Sequence, residues 1–189
     1  MERTITNTAT GETLTYLETS SETGGARSTF ELEVKPGGGV PLHQHADHDE
    51  LIEVVYGEIE VTSKGTTRRV GPGERLVIER GTTHRWCNPS SDRDLRFRGG
   101  MTPGHPDFEL FLRVYYGLGR DGELGEDKVP KRFGDLALLG ALDPSIFVGA
   151  KRLLRPIMMW TAARARKQGR EAELLRRYAP DHAAERTPK

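Results

Sequence analysis

Residues 37–50 read GGGVPLHQHADHDE and residues 73–84 read GERLVIERGTTH, and these two stretches hold four of the six histidines of the chain. The first runs Gly37, five residues, His43, Gln44, His45, four residues, Glu50, six residues, Gly57. The second runs Gly73, five residues, Glu79, Arg80, Gly81, two residues, His84, three residues, Asn88. Side chains alternate across a strand, so His43 and His45 are expected on one face. Glu50 is expected to open the returning strand and face both, and a turn at Gly81 to aim His84 into the same interior. Three imidazoles and one carboxylate converging in this way suit a borderline divalent metal.

Outward from these stretches the chain reads as short strands. Phe30, Leu32 and Val34 alternate with polar residues, as a half-buried strand does. Leu51 to Tyr56 is a further strand stopped by Gly57; Ile59 and Val61 continue in the next, which ends at Lys64-Gly65. Leu76 to Ile78 follows a Gly-Pro-Gly turn, and Leu95 and Phe97 mark another strand before Gly99-Gly100. Strands this short and closely spaced predict an antiparallel sandwich or barrel.

After Pro106 the period changes. Phe108, Phe111, Leu112, Tyr115 and Tyr116 recur at helical spacing. Gly117 to Pro130 reads as a glycine-rich connection. Asp143-Pro144 is a helix start, with Asp as cap and Pro in the first turn. Ile146 to Lys167 is predicted as one helix kinked at Pro156, and Glu171 to Tyr178 as a short basic helix. Phe147, Ala150, Leu154, Ile157 and Thr161 form the stripe expected to pack on the barrel or on a partner. The organisation predicted is a β-barrel over 1–106 and a helical extension over 107–189.

The chain has 189 residues, 28 basic and 28 acidic side chains and no formal net charge. Residues 1–150 carry 17 basic and 24 acidic groups, whereas residues 151–189 carry 11 and 4, so the tail is attracted to an acidic body. An acidic core argues against nucleic acid as partner. Cys87 is the single cysteine, which excludes an intrachain disulfide and a cysteine-based zinc site. Lys151, Arg152 and Arg155 interrupt the apolar part of the tail, so no transmembrane span is expected. Met1 to Ser21 has no apolar stretch, which makes the cytoplasm the default compartment. Neither a Gly-x-Ser-x-Gly elbow nor a phosphate loop occurs.

The two stretches closely resemble the paired motifs of the cupin superfamily, and the 15 residues between Gly57 and Gly73 fit its inter-motif gap. Glu79 stands where the second motif usually has proline, which changes a turn residue and not a ligand. The likeness extends over roughly residues 12–102, and the segment from Tyr116 to Gly122 looks like the tail of a group of small bacterial cupins. The resemblance implies a mainly β, jelly-roll-like antiparallel barrel. It also implies one divalent transition metal per chain (Mn, Fe, Ni, Co, Cu or Zn), held by His43, His45, Glu50 and His84.

By the same count of alternation, Ile52, Val54 and Trp86 share the ligand face and are expected to wall the pocket, with Leu51, Val55 and Cys87 turned outward. His48 is expected at the surface and Asn88 in a turn. Arg96 and Arg98 share a face and are read as solvated. The leading function is a metal-dependent, oxygenase-like enzyme acting on a small oxygenated organic molecule. Two alternatives are a redox-neutral sugar-type isomerase or epimerase, and a non-catalytic small-molecule-binding module. A homodimer is expected. No catalytic residue beyond the ligands is indicated.

Overall fold

A computed structural model describes residues 2–146 and 149–183. Ten strands come first: β1 Thr4–Asn7, β2 Glu12–Glu18, β3 Ser28–Val34, β4 Gly39–Gln44, β5 Asp49–Tyr56, β6 Ile59–Ser63, β7 Thr66–Val70, β8 Arg75–Ile78, β9 Thr83–Cys87 and β10 Leu95–Thr102. They form two antiparallel sheets, in the order β1-β2-β3-β10-β5-β8 and β4-β9-β6-β7. Alternation explains their faces. Leu14 and Tyr16 of β2, Phe30, Leu32 and Val34 of β3, and Ile52 and Val54 of β5 turn inward, and polar neighbours turn out. With Ile59, Val61, Trp86 and Phe97 they make the core between the sheets, the arrangement of a half-exposed antiparallel sandwich.

Successive strands change sheets where the site is built. β4 pairs with β9, placing His43 opposite His84, while β5 pairs with β10 and β8. Glu50 therefore does not return along β4 as a hairpin partner. It reaches the histidines from the facing sheet, because the turn after His45 carries the chain across the sandwich.

Five helices follow, α1 Pro106–Arg120, α2 Phe133–Leu142, α3 Arg155–Lys167, α4 Arg170–Tyr178 and α5 Pro180–Ala183. α1 opens where sequence chemistry favours it. The Phe108 N–H donates to His105 Nδ1 at 3.0 Å, Pro106 occupies the first turn, and Asp107 and Glu109 face the positive helix end. Leu112 and Tyr116 of α1 join the barrel core, while Leu110, Val114 and Leu118 join the core of the helices.

Four expectations give way here. α1 runs three residues beyond Gly117, because Gly117 packs against the ring of Tyr178 where any larger side chain would collide. α2 has no counterpart in the sequence reading, since its stretch from Leu136 to Leu142 is apolar on nearly every side and shows no helical stripe. Pro156 does not kink a helix but begins one. Residues Pro144–Ile146 and Gly149–Leu154 are 3-10 turns, and Pro sits in the first turn of α3, where its missing N–H has no partner to lose. The stripe is also displaced. Met158, Ala162 and Ala165 are the buried residues of α3, whereas Leu154 and Ile157 are exposed and Thr161 is half-buried. Phe147 and the Ala150 side chain lie outside the described residues.

The acidic body does hold the basic tail. Arg170 makes two bonds to Asp135, at 2.8 and 2.7 Å, and Arg177 approaches Asp121 at 2.5 Å. No helix among the described residues is long and apolar enough to cross a membrane.

Candidate metal centre

His43 ends its side chain on the inner face of β4, His45 follows one residue past that strand, and Glu50 is the second residue of β5. His84 lies on β9 after the turn at Gly81, whose φ of +78° is in the left-handed region that glycine adopts without strain. That turn is tied to the first stretch, because the Gly81 N–H donates to His45 O at 2.6 Å and Gln44 Nε2 donates to Gly81 O at 2.6 Å. All four side chains are buried, and one ligand atom from each lies within 4.8 Å of the others.

Each partner defines a protonation state. His43 Nδ1–H donates to Pro41 O at 2.9 Å and His84 Nδ1–H donates to Thr82 O at 2.9 Å. A carbonyl only accepts, so the hydrogen is on Nδ1 and the Nε2 side of each ring is the one left for the cluster. Burial drives the His43 pKa down to about 4, keeping this ring neutral. His84 Nε2 lies 2.8 Å from Glu50 Oε2, and His45 Nε2 lies 3.6 Å from the same oxygen. Burial alone raises the Glu50 pKa, but hydrogen bonds from His45 and His84 and their charges outweigh it, and the carboxyl is held well below its usual range. Burial lowers the His84 pKa, but bonding to Glu50 reverses this and leaves it raised.

These states test whether a metal fits. His84 faces two pure acceptors, Thr82 O and Glu50 Oε2, and satisfies both only as an imidazolium. A buried carboxylate is thus neutralised by a proton at the point where a metal cation would serve instead. With two rings presenting Nε2, a third beside them and an anionic oxygen between, the donor set fits a divalent transition ion.

Two further histidines gather beside the cluster. Contrary to expectation His48 is not at the surface; it is 2 % exposed. It precedes Glu50 by two residues and shares its parity, which was the available signal. His48 Nδ1–H donates to Asp47 Oδ1 at 3.2 Å, and His105 Nε2–H donates to Asp47 Oδ2 at 3.0 Å. His48 Nε2 and His45 Nδ1 are buried and have no hydrogen-bond partner among the described residues, and the two rings lie 4.3 Å apart. Phe108 packs edge-on against His45, at 5.5 Å. The signal for His105 was its position before Pro106, a capping residue followed by a first-turn proline.

The pocket wall differs in part from expectation. Trp86 lines a cavity of about 940 Å³ together with His43, His45, His48 and Glu50. Ile52 and Val54 are inside the sandwich but do not line that cavity. The larger side chains of Phe97, opposite Val54, and Met101, opposite Glu50, reach it instead. Leu51 and Val55 are half-buried and do not line the cavity, whereas Cys87, expected outward, lines it while staying outside the ligand cluster; burial pushes its thiol pKa up. Asn88 closes its turn, donating to Val34 O and Arg93 O. Arg96 and Arg98 are exposed and face Glu31 at 3.9 and 3.7 Å.

Comparison with known proteins agrees with this arrangement. Residues 30–98 match the family model described as Cupin domain. Germin-like protein 3-7 of Oryza sativa subsp. japonica is 32 % identical over 80 residues, 39 % of this chain and 34 % of that protein. Oxidoreductase iacF of Pestalotiopsis fici is 36 % identical over 67 residues, 34 % of this chain and 33 % of that protein. The matched stretch thus spans about a third of each curated relative's length. Among solved structures, KdgF from Halomonas sp. is similar at 23 % identity and a TM-score of 0.46, covering 52 % of this chain and 84 % of that one. The polyketide cyclase RemF from Streptomyces resistomycificus is similar at 28 % identity and a TM-score of 0.45, covering 51 % and 68 %. Residues 30–98, the segment that matches the Cupin domain model, contain both motif stretches and all four clustered side chains, so this part of the chain is a cupin domain.

Proposed function

We propose that this cupin is a metal-dependent enzyme of oxygenase type that acts on a small oxygenated organic molecule, with one divalent transition metal per chain held by His43, His45, Glu50 and His84. The observation that carries the reading is the buried, ionised Glu50 surrounded by three imidazoles at the wall of a large cavity. A metal bound there supplies Lewis acidity towards an enolate or hydroxy-ketone and, if redox-active, a place for dioxygen. The protein's own groups do the rest. Pro41 O and Thr82 O fix two rings so that neither can turn away, and Glu50 lowers the net positive charge of the site. The likeness to an oxidoreductase of Pestalotiopsis fici supports redox chemistry.

One observation favours a redox-neutral second reading. Asp47 holds the Nδ1 side of His48, a residue that lines the cavity, and its Nε2 has no hydrogen-bond partner among the described residues, as a general base requires. Such an enzyme moves a proton beside a polarised carbonyl, as isomerases and epimerases do. The two separate on oxygen. Turnover that stops under anaerobic conditions with iron, manganese, nickel, cobalt or copper bound supports the oxygenase, and turnover indifferent to oxygen with zinc bound supports the second. A ligand that stabilises the protein without turnover returns it to a binding module. Residues 1–106 then carry the site and 107–189 cover it, in a cytoplasmic homodimer with no nucleic-acid partner; sedimentation checks the dimer.

A further inference from the structure

The cavity extends far beyond the ligand cluster, reaching α1, α2 and α3. Its volume of about 940 Å³ is at the upper end of the roughly 300–1,000 Å³ that encloses drug-sized molecules. Away from the ligands the wall is mostly apolar, with Leu14, Leu32, Leu112, Leu139 and Met158 among its residues. One side is an aromatic strip on α1. Phe108 and Phe111 stack at 5.8 Å and 20°, and Phe111 and Tyr115 stack at 5.8 Å and 8°. Three aromatic rings in succession give this side of the cavity an aromatic lining, against which a planar ring system can pack by its face or its edge.

A polyhydroxylated ligand would need unspent polar partners, since burying a hydroxyl without one is costly. The buried carboxylates on this wall are engaged already. Glu12 accepts from Tyr116 Oη at 3.0 Å and from Thr10 Oγ1 at 3.0 Å, and Asp143 accepts from the Ser145 N–H at 3.0 Å and from its hydroxyl at 2.5 Å. The rim of the cavity carries Arg85, Asp127 and Lys128 on its exposed side, and part of it is apolar. Phe133 is 55 % exposed and Ile157 57 % exposed, and both line the cavity. Large exposed apolar groups gathered at one opening mark a site for an apolar partner.

We infer that the cavity takes a planar molecule of two or more fused aromatic rings with adjacent oxygens at one edge, the oxygens towards the histidine cluster and the rings on the Phe108–Phe111–Tyr115 strip. This rests on the reading of His43, His45, Glu50 and His84 as a metal site and adds the substrate class. The probes are 2,3-dihydroxynaphthalene, catechol and D-fructose, titrated calorimetrically into metal-loaded and metal-stripped protein. Catechol has the same oxygen pair on one ring, so the comparison isolates the second ring, whose burial should tighten binding roughly 30-fold. The expected result is that preference in both forms, with fructose weakest. Equal affinities for the diol and catechol, or tighter binding of fructose, overturn the inference and leave the metal reading intact. A protein that takes up no metal yet keeps the 30-fold preference overturns the metal reading and supports the cavity. Phe111→Ala should remove at least a tenfold share of diol affinity with metal content unchanged. If that variant does not fold, Phe133→Ser combined with Ile157→Ser, both at the exposed rim, should weaken the diol several-fold. Full diol affinity in the folded variant overturns the inference.

Discussion

The barrel and the helices bury their apolar residues by different rules. In the strands, parity decides: Phe30, Leu32, Val34, Ile52 and Val54 are all inside, and the residues between them are half-buried or exposed. In α3 the largest apolar residues are not the buried ones. Trp160, at 66 % exposure, and Ile157, at 57 %, stand out, while Met158, Ala162 and Ala165 pack inside. A strand has two faces and its composition chooses between them. A helix has a full circle of faces, and the one that is buried depends on what stands beside it. α2 and α4 crowd α3 closely enough to favour alanine, and α3 in return leaves Ile157 at the cavity rim and Trp160 beyond it.

The most severe way to break this contrast is to remove residues 144–189. Leu110, Val114, Leu118 and Leu138 would lose their cover, and the truncated chain should aggregate on expression. A truncated protein that stays soluble with an unchanged melting temperature would mean that the barrel does not need its helices.

Next comes the ion pair that fastens the tail. Asp135 is 2 % exposed, so Arg170→Ala strands a buried carboxylate and should lower stability by about 3 kcal/mol, read by thermal or urea unfolding. Arg170→Lys should recover part of this, since it restores the charge but not the two-pronged geometry.

His84→Ala tests the other region. Changes around a metal's ligands alone weaken binding about 10–100-fold, so loss of a ligand should cost at least about 100-fold, measured as metal retained against a weak chelator. Acidification sharpens the point. His84 has its pKa raised by Glu50 against the effect of burial, so it takes a proton at or above the ordinary value of 6.5, whereas His43 remains neutral down to about 4. Metal affinity should therefore begin to fall as pH drops through neutrality, and retention unchanged down to pH 4 would contradict the assignment.

Smaller effects are expected where packing is tight but local. Gly117→Ala drives a methyl into the Tyr178 ring and should destabilise by about 1–3 kcal/mol, with Tyr178→Ala relieving the clash at its own cost in burial. Arg98→Ala, an exposed side chain opposite Glu31, should change stability by less than about 0.5 kcal/mol.

Much of the site was legible before the fold. His43, His45, Glu50 and His84 stand out through spacing and parity, and the strands that carry them were readable from alternation and glycine turns. His48 was readable on the same rule, two residues before Glu50, but sits in a polar run that looks like surface. The pocket wall was less so. Ile52 and Val54 have the right parity, yet the side chains of Phe97 and Met101 on the neighbouring strand are long enough to cover the space ahead of them. Cross-strand neighbours are set by register, which no single strand contains.

The sequence by itself determined which residues meet in the centre and which face of each strand is buried, because both follow from local periods of two and from turns that only glycine makes easily. Tertiary structure decided the rest. It placed Glu50 in the facing sheet, gave α3 its buried face, drew α1 through Gly117 to receive Tyr178 and opened the cavity between barrel and helices. Each of these depends on which distant segments stand opposite one another, and that is a property of the packed chain rather than of any stretch within it.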